Sequence, residues 1–372
     1  MGLIQIQVSN VRNLRALKLQ GLRKVNVFYG PNGAGKTSIL EAIHLLGVGR
    51  SFRGSSVKPV ITHECTHCTV FGTINVPTSN AGPKNLSLGV RRGLAGEVEI
   101  KVAGAAVRTA AELAEHLPLQ AINADSFDLL SGAPQARRQF LDWGVFHVEH
   151  RFFEQWHRFQ RCIKQRNKLL RHGKINAAEL KVWTRDLVAA GELISGYRQH
   201  YFERLAPEFN AVMAVLAPSI TDLQIRYRRG WDKTLGYHEA LQATLEVDKE
   251  RGYTHVGPQR ADIKVTISGR PAAETLSRGQ QKLVVCALKL TQGQLMAELG
   301  GGTCTYLLDD LPSELDKVHS RLVCEFLSKM DAQVFVTSIE KESICDLWPK
   351  GDDIAVFHVE HGVASLNSTP AP

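Results

Sequence analysis

Val25-Asn-Val-Phe-Tyr-Gly30-Pro31-Asn32-Gly33-Ala34-Gly35-Lys36-Thr37-Ser38-Ile-Leu-Glu41 is the stretch whose reading decides the fold. An apolar, β-prone run from Val25 to Tyr29 feeds a glycine-rich turn and then a helix-compatible segment. This is the strand, loop and helix context in which G-x-x-x-x-G-K-[ST] holds phosphate. Gly30, Gly33 and Gly35 permit turns that a Cβ opposes, so successive N–H groups between Gly30 and Ser38 point inward at phosphate oxygens. Lys36 adds a point charge for the β- and γ-phosphates. The Thr37 hydroxyl is a candidate Mg²⁺ ligand, and the helix that starts here turns its positive end toward the same anion.

Three later motifs complete a site. Leu276-Ser277-Arg278-Gly279-Gln280-Gln281-Lys282 precedes an apolar helix that Ser277 and Gln280 can cap, and Gly279 leaves its N–H groups open to another molecule's phosphate. Thr305-Tyr-Leu-Leu-Asp309-Asp310 reads as a buried strand ending in two carboxylates. Asp309 is placed to hold Mg²⁺ directly or through water, and Asp310 to orient and deprotonate the attacking water. Ser313-Glu-Leu-Asp316 and a final core strand, Gln333 to Ser338, follow. In this order the motifs are those of an ATP-binding cassette, where Ser277 to Gln280 serve the ATP of a second subunit rather than their own.

The expected fold is α/β, an ABC-type ATPase head with a mixed sheet around the P-loop and an antiparallel β-subdomain. A second, mainly helical lobe carries a short helical hairpin. Lobe I is expected at 1–118 and 303–372, and lobe II at 119–302, with the hairpin at 147–207 and the signature motif at 276–282. The 372 residues suffice for two or three domains, and a 22% charged, 44% hydrophobic composition excludes a disordered chain. The net charge of +8 permits a polyanionic partner without establishing one. No apolar run reaches the ~18 residues of a membrane span, and no signal-peptide pattern opens the chain, so a cytoplasmic location is expected. Seven scattered cysteines fit reduced thiols. His63, Cys65, His67 and Cys68 have the spacing of half a zinc site, but no matching second pair follows.

Residues 3–8 and 15–19 read as strands, and Thr69 to Val107 as an antiparallel meander. Between them, Gly49 to Gly54 is a small basic loop placed to face nucleotide, partner or solvent. In the first long helix Phe152, Trp156, Phe159, Ile163 and Leu170 share a stripe about 60° wide, while Arg158, Arg161, Lys164, Lys168 and Arg171 form a basic ridge. That ridge is either a solvated face or a phosphate-backbone contact. Arg171 to Asn176 breaks the helix, and Asn176 and Glu179 cap a second. Its seam runs from Leu180 through Leu187 and Ile194 to Tyr201 before Pro207 ends it. Each arm is then no more than about 50 Å long. Residues 219–229 read as a strand with a basic end. The string Val-Phe-His-Val-Glu-His occurs twice, opening a helix at 145–150 and lying in a strand-like run at 356–361.

Over essentially its whole length the chain resembles the RecF family of bacterial recombination ATPases, relatives of SMC heads. The resemblance rests on Asn10-Val-Arg12-Asn13, Gly30 to Thr37, Gly49-Arg-Ser-Phe-Arg53, Gly132 to Trp143, Gly257-Pro-Gln-Arg260-Ala-Asp262, Leu276 to Lys282 and Asp309 to Asp316. It implies a cytoplasmic ATP- and Mg²⁺-dependent protein of DNA replication, recombination, repair and the SOS response to DNA damage. Such a protein dimerises when both copies hold ATP, clamps gapped or duplex DNA mainly by its phosphate backbone, hydrolyses ATP slowly under DNA stimulation, and helps RecO and RecR load RecA. By position, Lys36 and Thr37 grip phosphate and metal, Asp309 and Asp310 serve metal and water, and Ser277, Arg278, Gly279 and Gln280 close over the partner's ATP. Where cassettes carry a switch histidine, Thr337 is followed here by Ser338; for the glutamine between lobes, Asn123 and Asp125 are the candidates. Both departures point to slow turnover. The alternative is the cytosolic ATPase subunit of an ABC transporter.

Overall fold

Val25–Tyr29 is hydrophobic on nearly every residue because both faces of its strand are covered, the pattern of a central strand in a parallel sheet. The computed structural model describes residues 2–54, 56–76, 84–171 and 176–367. By internal contacts the chain divides into two units. The first comprises Met1–Phe127, Val215–Ala217 and Lys282–Pro372, and the second Asp128–Ala214 and Pro218–Gln281.

The first stretch runs β1 (Gly2–Val11), β2 (Leu14–Gln20), β3 (Val25–Tyr29), α1 (Lys36–Val48), β4 (His67–Val76), β5 (Lys84–Gly93), β6 (Val98–Val102), β7 (Ala105–Val107), α2 (Ala111–His116) and β8 (Leu119–Ile122). The middle is mainly helical: α3 (Asp128–Ser131), α4 (Pro134–Val148), α5 (Phe152–Arg171), α6 (Ala177–Leu216), β9 (Leu223–Arg228), α7 (Tyr237–Ala243), α8 (Leu245–Arg251), β10 (Asp262–Ile267), β11 (Arg270–Pro271) and α9 (Ala272–Thr275). Then come α10 (Arg278–Glu298), β12 (Thr305–Leu308), α11 (Leu311–Glu314), α12 (Lys317–Lys329), β13 (Gln333–Ser338), α13 (Glu342–Cys345), β14 (Ile354–Glu360) and β15 (Val363–Leu366).

Two six-stranded sheets build the first unit. One is antiparallel in the order β2-β1-β4-β5-β6-β7. The other runs β15-β14-β3-β13-β12-β8, parallel except for the edge strand β15. β3 therefore lies between two strands from the far end of the sequence. Phe28 stacks on Phe357 of β14 at 5.1 Å and on Phe335 of β13 at 6.4 Å. Leu40, Ile43 and Leu46 of α1 are buried in the same core as β1, β4 and β5. The mixed sheet and the antiparallel meander match expectation.

In the second unit β11-β10-β9 form a small antiparallel sheet. Three arginine–aspartate pairs tie its helices to one another and to that sheet. Arg166 of α5 meets Asp248 at 2.8 Å, Arg198 of α6 grips Asp142 at 2.7 and 2.9 Å, and Arg137 of α4 reaches Asp262 at 2.7 Å.

Several expectations are corrected. The unit boundaries do not fall at 118/119 and 302/303: β8 pairs with β12 in the P-loop sheet, and α10 from Lys282 onward also belongs to the first unit. Pro207 does not end the second arm. α6 runs 40 residues to Leu216, about 60 Å at 1.5 Å per residue, with Pro207 inside it. Tyr201, Phe202, Leu205, Phe209, Val212 and Leu216 stay buried on both sides of the proline. Their packing outweighs the roughly 3 kcal/mol that an interior proline costs. β13 is not the last core strand, because β14 follows it and pairs with β3. The first Val-Phe-His-Val-Glu-His string closes α4 instead of opening a helix, whereas the second forms most of β14. The expected break between the two long helices falls on 172–175, outside the described residues, although Asn176 Oδ1 does accept from the N–H of Ala178 at 3.0 Å and of Glu179 at 3.3 Å. No helix among the described residues is long and apolar enough to cross a membrane.

Candidate functional site

The glycine-rich loop leaves β3 under a tight constraint. At Gly30, with φ of 151°, a Cβ would lie 2.1 Å from the carbonyl oxygen of Val359 in β14, so only glycine lets the neighbouring strand pass. Gly35, with φ of 117°, then swings the chain into α1. Between them the backbone folds over the Lys36 ammonium, which donates to the carbonyls of Gly30 at 2.8 Å and Pro31 at 3.0 Å. Burial lowers the pKa of Lys36 against the opposing pull of Asp310 and Asp309.

The loop opens on a cavity of about 1110 Å³ whose lining includes Asn32, Lys36, Thr37, Asp309, Asp310 and Thr337. The Thr37 hydroxyl donates to Asp309 Oδ1 at 2.9 Å, across 272 residues of sequence. The same oxygen accepts from the Thr337 hydroxyl, also at 2.9 Å. Burial raises the pKa of Asp309, and these two hydrogen bonds partly oppose the rise. Asp310 follows in the left-handed region, with φ of 53° and ψ of 48°, and its N–H donates to Thr337 Oγ1 at 2.8 Å. Two oxygens, Thr37 Oγ1 and Asp309 Oδ1, thus face one space beside a buried cation, the donor set that suits a hard divalent ion.

A second layer of contacts fixes the rim. Glu41, fully buried one turn beyond Thr37, accepts from Arg12 Nε at 2.8 Å and Nη2 at 2.7 Å, and from the Ser51 hydroxyl at 2.5 Å. Arg12 and Arg53 both line the cavity. The basic loop at 49–54 therefore turns Arg53 toward the site. Ser38 Oγ donates to Asn13 Oδ1 at 2.8 Å, tying α1 to the β1–β2 turn. The role of Glu41 had no local signal, since its partners come from two other segments; Thr337 was visible only as the residue followed by Ser338 where a switch histidine was expected.

Gly30, Pro31 and Ala34 form the loop's frame, while Asn32, Gly33, Gly35, Lys36, Thr37, Ser38, Asp309 and Asp310 line the cavity. Asn123 and Asp125 do not line it. Asn123 Oδ1 instead accepts from the Ser126 N–H at 3.0 Å and its hydroxyl at 2.7 Å. Ser277 to Gln280 belong to the second unit, where Ser277 N–H donates to Gln280 Oε1 at 3.0 Å and Gln280 N–H to Ser277 Oγ at 3.3 Å, the reciprocal cap expected of them. Ser277, Arg278 and Gly279 are exposed, and a Cβ at Gly279 would meet nothing within 4 Å.

His63 and Cys65 line the nucleotide-sized cavity, and the buried Cys68 thiol is pushed up to about 11 by burial. Among the described residues no group of three or more His, Cys, Asp or Glu side chains is arranged to hold a metal.

The second unit bears the positive surface. All five ridge residues of α5, from Arg158 to Arg171, are exposed. A further basic face was legible only as a strand with a basic end. On β9, Arg226 and Arg228 alternate outward, and Lys264 of β10 pairs in register with Arg226. Beside them a cavity of about 1280 Å³ is lined by Arg228, Arg229, Lys233 and Arg260.

Residues 2–365 match the family model described as RecF/RecN/SMC N terminal domain. The chain is 48% identical over 362 residues to the DNA replication and repair protein RecF of Stutzerimonas stutzeri, covering 97% of this chain and 96% of that one. It is 49% identical over 362 residues to RecF of Azotobacter vinelandii, covering 97% and 98%. Among solved structures it is similar to the recombination mediator protein RecF-ATP in the RecFOR pathway, with a TM-score of 0.83 at 26% identity over 98% of this chain and 97% of the other. An SMC head bound to the C-winged helix domain of ScpA shares the fold, with a TM-score of 0.59 at 14% identity over 98% and 97%.

Proposed function

The chain belongs to the RecF/RecN/SMC family and, within it, to the RecF proteins of DNA replication and repair, and from that membership we propose that it is an ATP-gated DNA clamp. The observation that carries this reading is the convergence of Lys36, Thr37, Asp309 and Asp310 on one cavity. The P-loop N–H groups and Lys36 hold the triphosphate, and Thr37 and Asp309 would hold Mg²⁺. When bound, the metal neutralises charge on the terminal phosphates. Asp310 orients the attacking water and accepts its proton. Turnover is slow and stimulated by DNA.

In this reading Ser277, Arg278, Gly279 and Gln280 of one copy close over the nucleotide of another, so ATP joins two copies before it is cleaved. Their exposure and the open space beside Gly279 support that role. The dimer grips duplex DNA near single-strand gaps and, with RecO and RecR, assists the loading of RecA. Phosphate contacts come from the α5 ridge and from the Arg226, Arg228 and Lys264 face. Light scattering at saturating ATP and Mg²⁺ tests the first half of this account, and the salt dependence of DNA binding tests the second. Neutralising Arg158, Arg161 and Lys164 lowers the slope of log K against log salt by about 2.7 if all three meet phosphate. A protein that stays monomeric with ATP yet binds gapped DNA normally would end the clamp account.

A further inference from the structure

The two carboxylates at the end of β12 are wired together through one hydroxyl. Thr337 is 1% exposed at the end of β13, the strand beside β3. Its hydroxyl donates to Asp309 Oδ1 at 2.9 Å and accepts from the N–H of Asp310 at 2.8 Å. A hydroxyl has one donor and two acceptor positions, so both bonds form at once. No methyl, and no second acceptor, serves in its place.

The second of these bonds holds an unfavourable backbone. Asp310 is a non-glycine residue in the left-handed region, which such residues visit rarely. Its carbonyl accepts from Ser313 N–H at 2.9 Å as α11 begins, so the residue is pinned on both sides. In a right-handed or extended conformation the Asp310 side chain would leave a different face of the turn, because the Cβ direction follows φ and ψ. The first bond fixes Asp309 independently of Thr37. Thr37 Oγ1 also donates to Asp309 Oδ1 and keeps its lone pairs free for a cation, so two hydroxyls from two different elements hold the same carboxylate oxygen.

Resting on the reading of this cavity as an ATP site, we propose that Thr337 is a positioning residue. Together with Thr37 it holds Asp309 in place, and through the same oxygen it locks the Asp310 backbone so that the Asp310 carboxylate faces the water to be activated. It touches neither nucleotide nor water; it acts through the two aspartates. The hydroxyl thereby links the metal side of the site to the water side, at the strand end where cassette ATPases were expected to carry a histidine.

The test compares Thr337→Val, which keeps shape and loses the hydroxyl, with Thr337→Ser, which keeps the hydroxyl. ATP affinity is measured with and without Mg²⁺, along with single-turnover hydrolysis and hydrogen exchange of the peptide containing Asp310. For Thr337→Val the expected result is affinity within about threefold of the parent, hydrolysis slowed at least tenfold, and exchange at the Asp310 amide accelerated. Thr337→Ser should retain at least a third of the parent rate with parental exchange. Hydrolysis at the parent rate in Thr337→Val, or equal slowing in both variants, overturns the proposal. If the valine variant misfolds, a thermal melt shows it, and unchanged Asp310 exchange in a folded Thr337→Ala variant overturns the proposal in its place. Failure of the parent itself to bind or cleave ATP removes the underlying reading instead, so the two failures are distinct.

Discussion

Charge is spent differently at the P-loop lysine and aspartate and in the buried ion pairs of the helical unit. In the first, Lys36 donates to backbone carbonyls and Asp309 accepts from two hydroxyls, so neither is joined to an opposite side-chain charge. In the second, Arg166 and Asp248, with side chains 1% and 0% exposed, face each other at 2.8 Å, with Thr254 Oγ1 taking a further Arg166 N–H at 2.6 Å and His255 N–H donating to the other Asp248 oxygen at 2.9 Å. Arg198 and Asp142 form a similar closed pair, where burial opposes the arginine's charge but Asp142 more than restores it. The P-loop site holds its ions with weak partners that a ligand can displace. The buried pairs of the helical unit hold their ions with charged partners that no ligand reaches. Removal of a charge should therefore cost ligand binding in one place and folding in the other.

The sharpest break is Arg166→Ala, which strips the buried Asp248 carboxylate of its guanidinium and leaves it to His255 N–H and Nδ1, at 2.9 and 3.0 Å, and is expected to cost about 3–5 kcal/mol in a denaturant melt. Replacing both partners, as in Arg166→Met with Asp248→Leu, should recover part of that loss, since two apolar groups of similar volume remove the desolvation penalty together while His255 N–H loses its acceptor. A single-variant loss under about 1 kcal/mol would erase the contrast.

Acid comes next, through His147. Its side chain is buried, and burial pushes its pKa down to about 4. Between pH 6.5 and 4 the unfolded chain takes up a proton that the folded chain refuses, so stability is lost as pH falls through that window. The size is about 3 kcal/mol at 1.36 kcal/mol per unit. His147→Gln should flatten that part of the pH–stability curve, as read by unfolding midpoints at pH 7 and pH 5.

Lys36→Ala should weaken ATP binding by about 2–3 kcal/mol, up to about a hundredfold, as titrated with a fluorescent nucleotide. Its unfolding midpoint without nucleotide should stay near the parent's, or rise slightly as a buried ammonium disappears. Arg158→Ala belongs at the bottom of the scale. Its partner Asp186 is 3.4 Å away on an exposed face, so stability should change by less than about 0.5 kcal/mol.

The same division separates what was legible in the sequence from what was not. The P-loop, the Ser277 and Gln280 cap, and the seam at Leu187 and Ile194 are local patterns, each fixed by residues within a turn or two of one another. The pairing of Arg166 with Asp248 spans 82 residues, and that of Glu41 with Arg12 joins two elements, so no window contains both partners. The repeated Val-Phe-His-Val-Glu-His string marks the limit. At 145–148 it completes a helix whose inner face packs in the second unit, and at 356–360 it is a strand paired in register with β3. Identical residues take both forms because the decision lies in the neighbours. Pro207 teaches the same lesson from the opposite side, a local stop signal overruled by buried apolar residues before and after it.

The position of β3 carries a consequence for synthesis. As the chain leaves the ribosome, Val25–Tyr29 emerges about 300 residues before either strand that flanks it, and Val359, whose carbonyl closes against Gly30, emerges later still. A nascent or truncated chain lacking β14 has the full P-loop motif but no wall for its first glycine to lean on. The motif nearest the amino terminus is therefore among the last parts of the chain to gain its full set of neighbours, and its sheet closes only once residue 360 has been made.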